Sequence, residues 1–192
     1  NYWYCQRCGQ TVPGVHDICH TDVYSEHEGK RIIVNGGWHD AGDLTQMIYN
    51  TGPAIIAMFS LAERVKDTDK FLYERLIEEG KWGLEWMLKV RFGDGFRQNF
   101  GGINRWTDGI IETDDDLSFK AANRPFENMV SASSEAQAAL VLKNEDPVLA
   151  DLCLNAAEED WQYAVEKMEK LDVEICGEAV ITSMNLYELT GN

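Results

Sequence analysis

Residues 44–65 read LTQMIYNTGPAIIAMFSLAERV, and their apolar side chains recur at the spacing of a helix. Leu44, Ile48, Ile55 and Phe59 share one face at 3.6 residues per turn. Gly52-Pro53 predicts a break or kink within this helix. Similar periodicity over about 70–90, 128–142, 146–171 and 173–189 brings the prediction to about five helices. The sequence therefore predicts an all-α fold with almost no sheet.

The segment before this first helix has a different character. Residues 1–43 contain many Gly and Pro residues and little helical periodicity, which predicts a loop-rich segment with one short strand near 31–34. Residues 91–127 form a second long connection, and connections of that length often carry function. We expect one partial domain over residues 1–192, with a loop-rich segment at 1–43 and helical hairpins at 44–192.

Charge and composition narrow the range of partners. The chain has 17 basic and 33 acidic residues and a formal net charge of -16, which disfavours nucleic acids and anionic membranes. The sequence contains no run of about 18 apolar residues, so it predicts no membrane-spanning helix. All four histidines and three of the five cysteines lie in the first 39 residues. We therefore expect the functional site of the chain to lie near its beginning.

One motif there pairs two carboxylates. Residues 36–43 read GGWHDAGD, so Asp40 and Asp43 lie three residues apart before the first long helix. Two such carboxylates can hold a water between them, as general-base hydrolysis requires. Asp is also a common helix cap, and the spacing alone favours that simpler interpretation.

The same motif resembles the signature of glycoside hydrolase family 9, the inverting cellulases and related β-glucanases. Further similar segments follow the family's order, namely RCG at 7–9, VPG at 12–14, CH at 19–20, WMLKVR at 86–91 and DG at 94–95. The resemblance implies the N-terminal part of an (α/α)₆ barrel, a barrel of six helical hairpins. The remainder of that catalytic domain is then the natural partner of this chain.

The resemblance also implies an activity. It is the inverting hydrolysis of β-1,4-glucan chains such as cellulose or xyloglucan, with Asp43 as general base and Asp40 assisting. The general acid of the family is a Glu late in the domain, outside this chain, so the 192 residues alone are expected to be inactive. Because such enzymes act on external polysaccharides, an extracellular, periplasmic or cell-surface location is implied.

Cysteines and a histidine near the start of the chain predict a structural zinc site. Cys5, Cys8, Cys19 and His20 supply a Cys₃His ligand set. Some members of the resembled family bind zinc through the cysteine of the RCG segment and the Cys-His pair. The fourth family ligand is expected shortly after Asp43, where this chain has Gln46, so Cys5 is the predicted substitute. His16 is a second candidate, and a Cys5–Cys8 disulfide or free thiols stay open.

Three aromatic or imidazole side chains are candidates for sugar binding. His39 and Trp38 adjoin Asp40, and Trp106 lies in the long connection; each has a packing role as its simpler explanation. Calcium is a weaker expectation, at the acidic run of residues 112–116. Two other functions stay open: a non-catalytic carbohydrate-binding relative of the same fold, and a zinc-stabilised interaction module.

Overall fold

The computed structural model describes residues 2–42, 44–170 and 173–191, and these residues are mostly helical. Six helices occur within those ranges: α1 Tyr2–Cys5, α2 Ile48–Val65, α3 Lys70–Lys89, α4 Pro125–Leu142, α5 Pro147–Lys167 and α6 Val173–Thr190. Seven short strands accompany them: β1 Val23–His27, β2 Lys30–Ile33, β3 Gln46–Met47, β4 Arg91–Gly93, β5 Phe96–Arg97, β6 Phe100–Gly101 and β7 Leu117–Lys120. The predicted all-α class is confirmed.

Two of the long helices begin at aspartate caps. The Asp69 side chain accepts a hydrogen bond from the backbone N–H of Leu72 at 3.0 Å, and Asp146 does the same for Leu149 at 3.2 Å. Pro147 then occupies the first turn of α5, where its missing N–H costs nothing. Each cap satisfies a backbone donor that the helix itself leaves unpaired.

The predicted break at Gly52-Pro53 is wrong, since α2 runs through both residues. Pro53 lies in the second turn, where it removes one backbone hydrogen bond of an otherwise continuous helix. Gly52 faces α4: a Cβ at this position would lie 2.4 Å from Val130 Cγ1 and 2.8 Å from Ser134 Oγ. The glycine therefore permits close packing of two helices rather than a turn.

Helical hairpins account for the packing. α3 packs on α2 and α5 packs on α4, while α4 also contacts both α2 and α6. α4 is buried over most of its length, and many of its buried residues are small, so its neighbours approach closely. Among the described residues, none of the helices combines the length and apolarity that crossing a bilayer requires.

The short strands join the N-terminal segment to the long connection. One sheet has the order β2-β1-β7, in which β1 and β2 are antiparallel and β7 is parallel to β1. β3 pairs with β6, and β4 pairs with β5. The strand predicted near 31–34 is present as β2. The strands within 91–127 were not predicted, because two to four residues are too few to show an alternating pattern.

Candidate active site and metal cluster

The turn at residues 36–39 depends on two glycines that pack against a tryptophan. Gly36 and Gly37 have φ values of 113° and 65°, and a Cβ on Gly37 would lie 3.0 Å from the Trp86 ring. Only glycine combines that backbone conformation with such a close approach. Further along, Leu44 also has a positive φ, of 60°.

Backbone pairing then brings two distant segments side by side. The N–H of Cys8 donates to the carbonyl of Gly37 at 2.9 Å, and the N–H of His39 donates to the carbonyl of Gln6 at 2.8 Å. These two hydrogen bonds place Cys8 and His39 on neighbouring extended segments. The loop that contains Asp40 is thereby attached to the beginning of the chain.

Four buried side chains meet at this junction and form the Cys/His cluster. Its members are Cys8, Cys19, His20 and His39, whose donor atoms all lie within 4.8 Å of one another. Cys8 Sγ is 3.3 Å from His20 Nδ1, Cys19 Sγ is 3.3 Å from His39 Nε2, and the two sulfur atoms are 3.7 Å apart. No side chain of the cluster is more than 4% exposed.

The protonation of the two thiols is strongly asymmetric. Hydrogen bonds from Cys8, His20 and His39, the first being the largest contribution, together lower the pKa of Cys19 to about 2 against the effect of burial. Burial raises the pKa of Cys8 well above its ordinary value, and its contact with Cys19 adds to that rise. Hydrogen bonding therefore favours the thiolate of Cys19, burial disfavours that of Cys8, and a bound cation would favour both.

The geometry of the Cys/His cluster fits a tetrahedral metal ion. Two sulfur ligands at about 2.3 Å from one zinc ion lie about 3.8 Å apart, and a sulfur and an imidazole nitrogen lie about 3.5 Å apart. The observed separations of 3.7 Å and 3.3 Å match these values. Two thiols and two imidazoles are also the ligand set of many structural zinc sites.

The structure brings three of the four predicted ligands together. Cys8, Cys19 and His20 are in the cluster as predicted, but the fourth member is His39 rather than Cys5. Cys5 ends helix α1 and is partly buried, whereas Cys8 is buried. Both are free thiols, so they form no disulfide with each other.

His16, the second candidate for the fourth ligand, and Gln46, which stands where the family ligand is expected, make other contacts. His16 Nδ1 donates to the carbonyl of Asp17 at 2.8 Å, and its ring packs 5.0 Å from that of His39. Gln46 Nε2 donates to the carbonyl of Gly36 at 2.7 Å, which holds the glycine turn in place. Neither side chain belongs to the Cys/His cluster.

Directly after His39, Asp40 is held at both carboxylate oxygens. Thr45 Oγ1 donates to Oδ1 at 2.7 Å, and Asn50 Nδ2 donates to Oδ2. The backbone N–H of Asp40 also donates to the carbonyl of Thr45 at 2.8 Å. Because three hydrogen bonds fix its position, the orientation of the Asp40 carboxylate is well defined. Asp43 lies outside the described residues.

Asp40 opens into a pocket of about 230 Å³, which we call the Asp40 pocket. Its lining consists of aromatic and polar side chains: Tyr2, Trp3, Trp38, His39, Asp40, Asn50 and Thr51. Tyr2, Trp3, Asn50 and Thr51 had no predicted role in a site. For Tyr2 and Trp3 the sequence offered one signal, the aromatic run at residues 2–4, which has no helical or strand periodicity to explain it.

Of the three predicted sugar-binding residues, His39 and Trp38 line the Asp40 pocket and Trp106 does not. His39 is 1% exposed and belongs to the Cys/His cluster. Trp38 is 2% exposed, and its Nε1 donates to Glu79 Oε1 at 2.8 Å, so its ring is a core contact that meets the Asp40 pocket only at its edge. Trp106 is 67% exposed and does not line that pocket.

The acidic run at 112–116 contributes to a small cluster of carboxylates. Asp115 and Asp116 lie near the buried Asp22. Asp22 already accepts hydrogen bonds from Thr107 Oγ1 at 2.7 Å and from the N–H of Gly109 at 3.0 Å. These contacts connect the long connection to β1, and calcium binding there stays a prediction.

The fold combines helical hairpins with the Asp40 pocket and the adjacent Cys/His cluster. Sequence comparison identifies the family to which this architecture belongs. The family described as "Glycosyl hydrolase family 9" matches this chain over residues 1–190, so the chain belongs to that family. Endoglucanase D of Acetivibrio thermocellus is 27% identical over 194 residues, which cover 83% of this chain and 29% of the relative. Endoglucanase C of Cellulomonas fimi is 28% identical over 160 residues, which cover 71% of this chain and 14% of the relative.

Solved structures agree on the fold. A metagenome-derived glycoside hydrolase family 9 endoglucanase superposes with a TM-score of 0.79 and 21% identity, covering 99% of this chain and 41% of its own. A thermostable endoglucanase from Alicyclobacillus acidocaldarius superposes with a TM-score of 0.75 and 19% identity. The match covers 100% of this chain and 42% of that structure. The chain thus spans less than a third of those curated relatives and under half of those structures.

Proposed function

We propose that this chain provides the general-base side of the active site of an inverting β-glucan hydrolase. The observation that carries the proposal is the Asp40 carboxylate, fixed by Thr45 and Asn50 at the edge of a pocket. A carboxylate has about four lone-pair sites, of which these donors use two, so Asp40 can still accept from a water. Asp43 follows three residues later in the sequence, and we assign it the role of general base.

Inversion requires two carboxyl groups on opposite faces of the sugar, about 6.5–9.5 Å apart. Asp43 removes the proton of the attacking water, and Asp40 orients that water by accepting its second hydrogen. A glutamic acid from a later part of the family's domain protonates the leaving oxygen. General acid catalysis contributes about 10²–10⁴-fold, so residues 1–192 alone are expected to hydrolyse glucan poorly.

The substrate class follows from the family and from the shape of the pocket. Two relatives carry the name endoglucanase, and one structural neighbour was solved with a cellobiose-like isofagomine. Tyr2 and Trp3 add aromatic surface beside Asp40, which suits the apolar face of a glucose ring. We therefore propose β-1,4-linked glucan as the substrate and a location outside the cytoplasm.

The Cys/His cluster is proposed to hold a structural zinc ion. Cys8, Cys19, His20 and His39 would be its ligands, and a bound zinc ion would stabilise both thiolates and hold the N-terminal segment against the Asp40 loop. A structural neighbour is described as a zinc-binding triple mutant of a family 9 endoglucanase, which supports the choice of metal. All four ligands belong to this chain, so no open position is left for catalysis.

Substitutions at the two aspartates test the hydrolase proposal. In the protein as its gene encodes it, Asp43→Asn is expected to lower kcat on a soluble β-glucan by about 10²-fold or more, and Asp40→Asn by a smaller factor. The exposed Asp67→Asn is the matched control and is expected to leave kcat unchanged. Oligosaccharide binding, measured by calorimetry, is expected to persist in all three variants.

Two results would count against this assignment. Unchanged hydrolysis by the Asp43→Asn variant would reject its role as base. Absence of hydrolysis by the unsubstituted protein, together with retained oligosaccharide binding, would instead favour the non-catalytic carbohydrate-binding relative.

A further inference from the structure

Two tight turns meet at a part of the surface that shares no residue with the Asp40 pocket or the Cys/His cluster. One turn joins β1 to β2 at His27-Glu28-Gly29-Lys30, and the other joins β4 to β5 at Asp94-Gly95. The His27 ring stacks on the Phe96 ring, with centroids 3.6 Å apart and planes 4° from parallel. Lys30 Nζ donates to the carbonyl of Phe92 at 2.6 Å. These contacts fix the two turns against each other.

The turns bring together three potential metal ligands from separate positions in the chain. One ligand atom each of His27, Glu28 and Asp94 lies within 4.8 Å of the other two. His27 is half-buried and held by its stack on Phe96, whereas both carboxylates are exposed. Ligands at about 2.1 Å from one ion lie roughly 3–3.5 Å apart, so rotation of the two exposed side chains is enough to complete the site.

The surrounding charge favours a cation. These residues line a cavity of about 460 Å³ whose wall on the α5 side carries further acidic groups. Glu159 is already engaged there, since its two oxygens accept from Arg91 Nη2 and from the N–H of Gly95, each at 2.6 Å. Glu166 adds another carboxylate. Lys167 is the one cationic side chain among the described residues that line this cavity, and Lys30 Nζ, bonded to the Phe92 carbonyl, lies beside Gly93.

We propose that His27, Glu28 and Asp94 form a surface site for a divalent first-row transition-metal ion, which would join the β1–β2 and β4–β5 turns. The imidazole distinguishes this site from a calcium or magnesium site, because those ions prefer oxygen ligands alone. Nickel, zinc and cobalt accept a mixed set of one imidazole and two carboxylates. The site is independent of the proposed hydrolysis and of the Cys/His cluster, so it stands or fails separately.

Nickel binding tests this proposal. Calorimetric titration of the zinc-saturated protein with Ni²⁺ is expected to show one binding event without thiolate-to-nickel charge-transfer absorption. Asp94→Asn is expected to weaken that event about tenfold or more, a loss of about 1.4 kcal/mol in binding free energy. Asn tolerates the left-handed backbone at this position, where φ is 60°, so the variant is expected to keep the fold.

Two further variants separate this site from the others. His27→Gln is expected to weaken Ni²⁺ binding as Asp94→Asn does, while Asp115→Asn, in the Asp22 cluster, is expected to leave it unchanged. Equal affinity in the Asp94→Asn and unsubstituted proteins would overturn the proposal. So would a nickel site that shows thiolate absorption, because that ion would be in the Cys/His cluster, and so would loss of binding in Asp115→Asn alone.

Discussion

At the scale of single residues, the orientation of Asp40 depends on Asn50 and Thr45. The two donors come from either side of β3, Thr45 just before the strand and Asn50 in the first turn of α2. The start of α2 therefore contributes directly to the proposed active site. Nothing in the periodicity of residues 44–65 distinguishes Asn50 from an ordinary helix surface residue.

We predict that Asn50→Ala lowers kcat on a soluble β-glucan and leaves KM nearly unchanged. A hydrogen bond to a charged group is worth about 1.5–3 kcal/mol, so the fall is about 10- to 150-fold if the bond is needed mainly in the transition state. Asn50→Asp is not a rescue, because it would place two carboxylates side by side. The exposed Asn155→Ala, on α5, is the control. A rise in KM with kcat unchanged would show that Asn50 acts on substrate binding rather than through Asp40.

The fourth member of the Cys/His cluster shows where a residue-level prediction fails. Cys5 and Cys8 have the spacing of a metal-binding loop, and that spacing favoured Cys5. In the structure Cys5 ends a short helix outside the cluster, while the pairing of residues 6–8 with 37–39 accompanies the approach of His39 to Cys19. The pairing joins segments about thirty residues apart, so no local pattern contains it.

At the scale of elements, helix α4 carries an ionisable side chain in the core. Glu135 is fully buried, its Oε1 lies 3.2 Å from Arg97 Nη2, and Asp160 of α5 also lies near Arg97. Burial raises the pKa of Glu135 well above its usual range, the nearby Asp160 adds to the rise, and the arginine only partly offsets it. The folded state therefore keeps the Glu135 proton to higher pH than the unfolded chain does.

This difference predicts how stability depends on pH. Because the folded-state pKa is raised, the contribution of Glu135 is fully present below the unfolded value of about 4.3 and is lost as pH rises towards the folded-state pKa. Glu135→Gln cannot titrate, so its stability relative to the unsubstituted protein is expected to improve by up to about 1.4 kcal/mol per pH unit over that interval. Urea unfolding at a series of pH values measures the difference.

The exposed Glu63→Gln is the control for this pH series, and its curve is expected to run parallel to that of the unsubstituted protein. If the Glu135→Gln curve is parallel as well, Glu135 is ionised in the folded protein. The salt bridge to Arg97 would then be a true ion pair at all pH values tested.

At the scale of the whole molecule, the Cys/His cluster connects the N-terminal segment to the Asp40 loop. We predict that Cys19→Ser loses one equivalent of bound zinc and lowers Tm, whereas Cys5→Ser keeps both. An ion present at 100 times its Kd stabilises the folded state by about 2.7 kcal/mol, which corresponds to a shift of about 5–11 °C for a domain of this size. Elemental analysis and thermal unfolding measure the two effects.

The exposed Cys176→Ser controls for the removal of any thiol and is expected to resemble the unsubstituted protein. Zinc loss in Cys5→Ser, with full zinc in Cys19→Ser, would contradict the geometry of the cluster and restore the ligand set predicted from the sequence.

The sequence by itself determined the helical class, the family and three of the four cluster residues. These features are local: periodicity over one helix, the GGWHDAGD motif, and the Cys-His pair at 19–20. Only the tertiary structure decided that His39 completes the cluster, that Gly52 serves close helix packing, and that Thr45 and Asn50 hold Asp40. The physical reason is that each depends on the three-dimensional path of the backbone, which residue spacing alone does not specify.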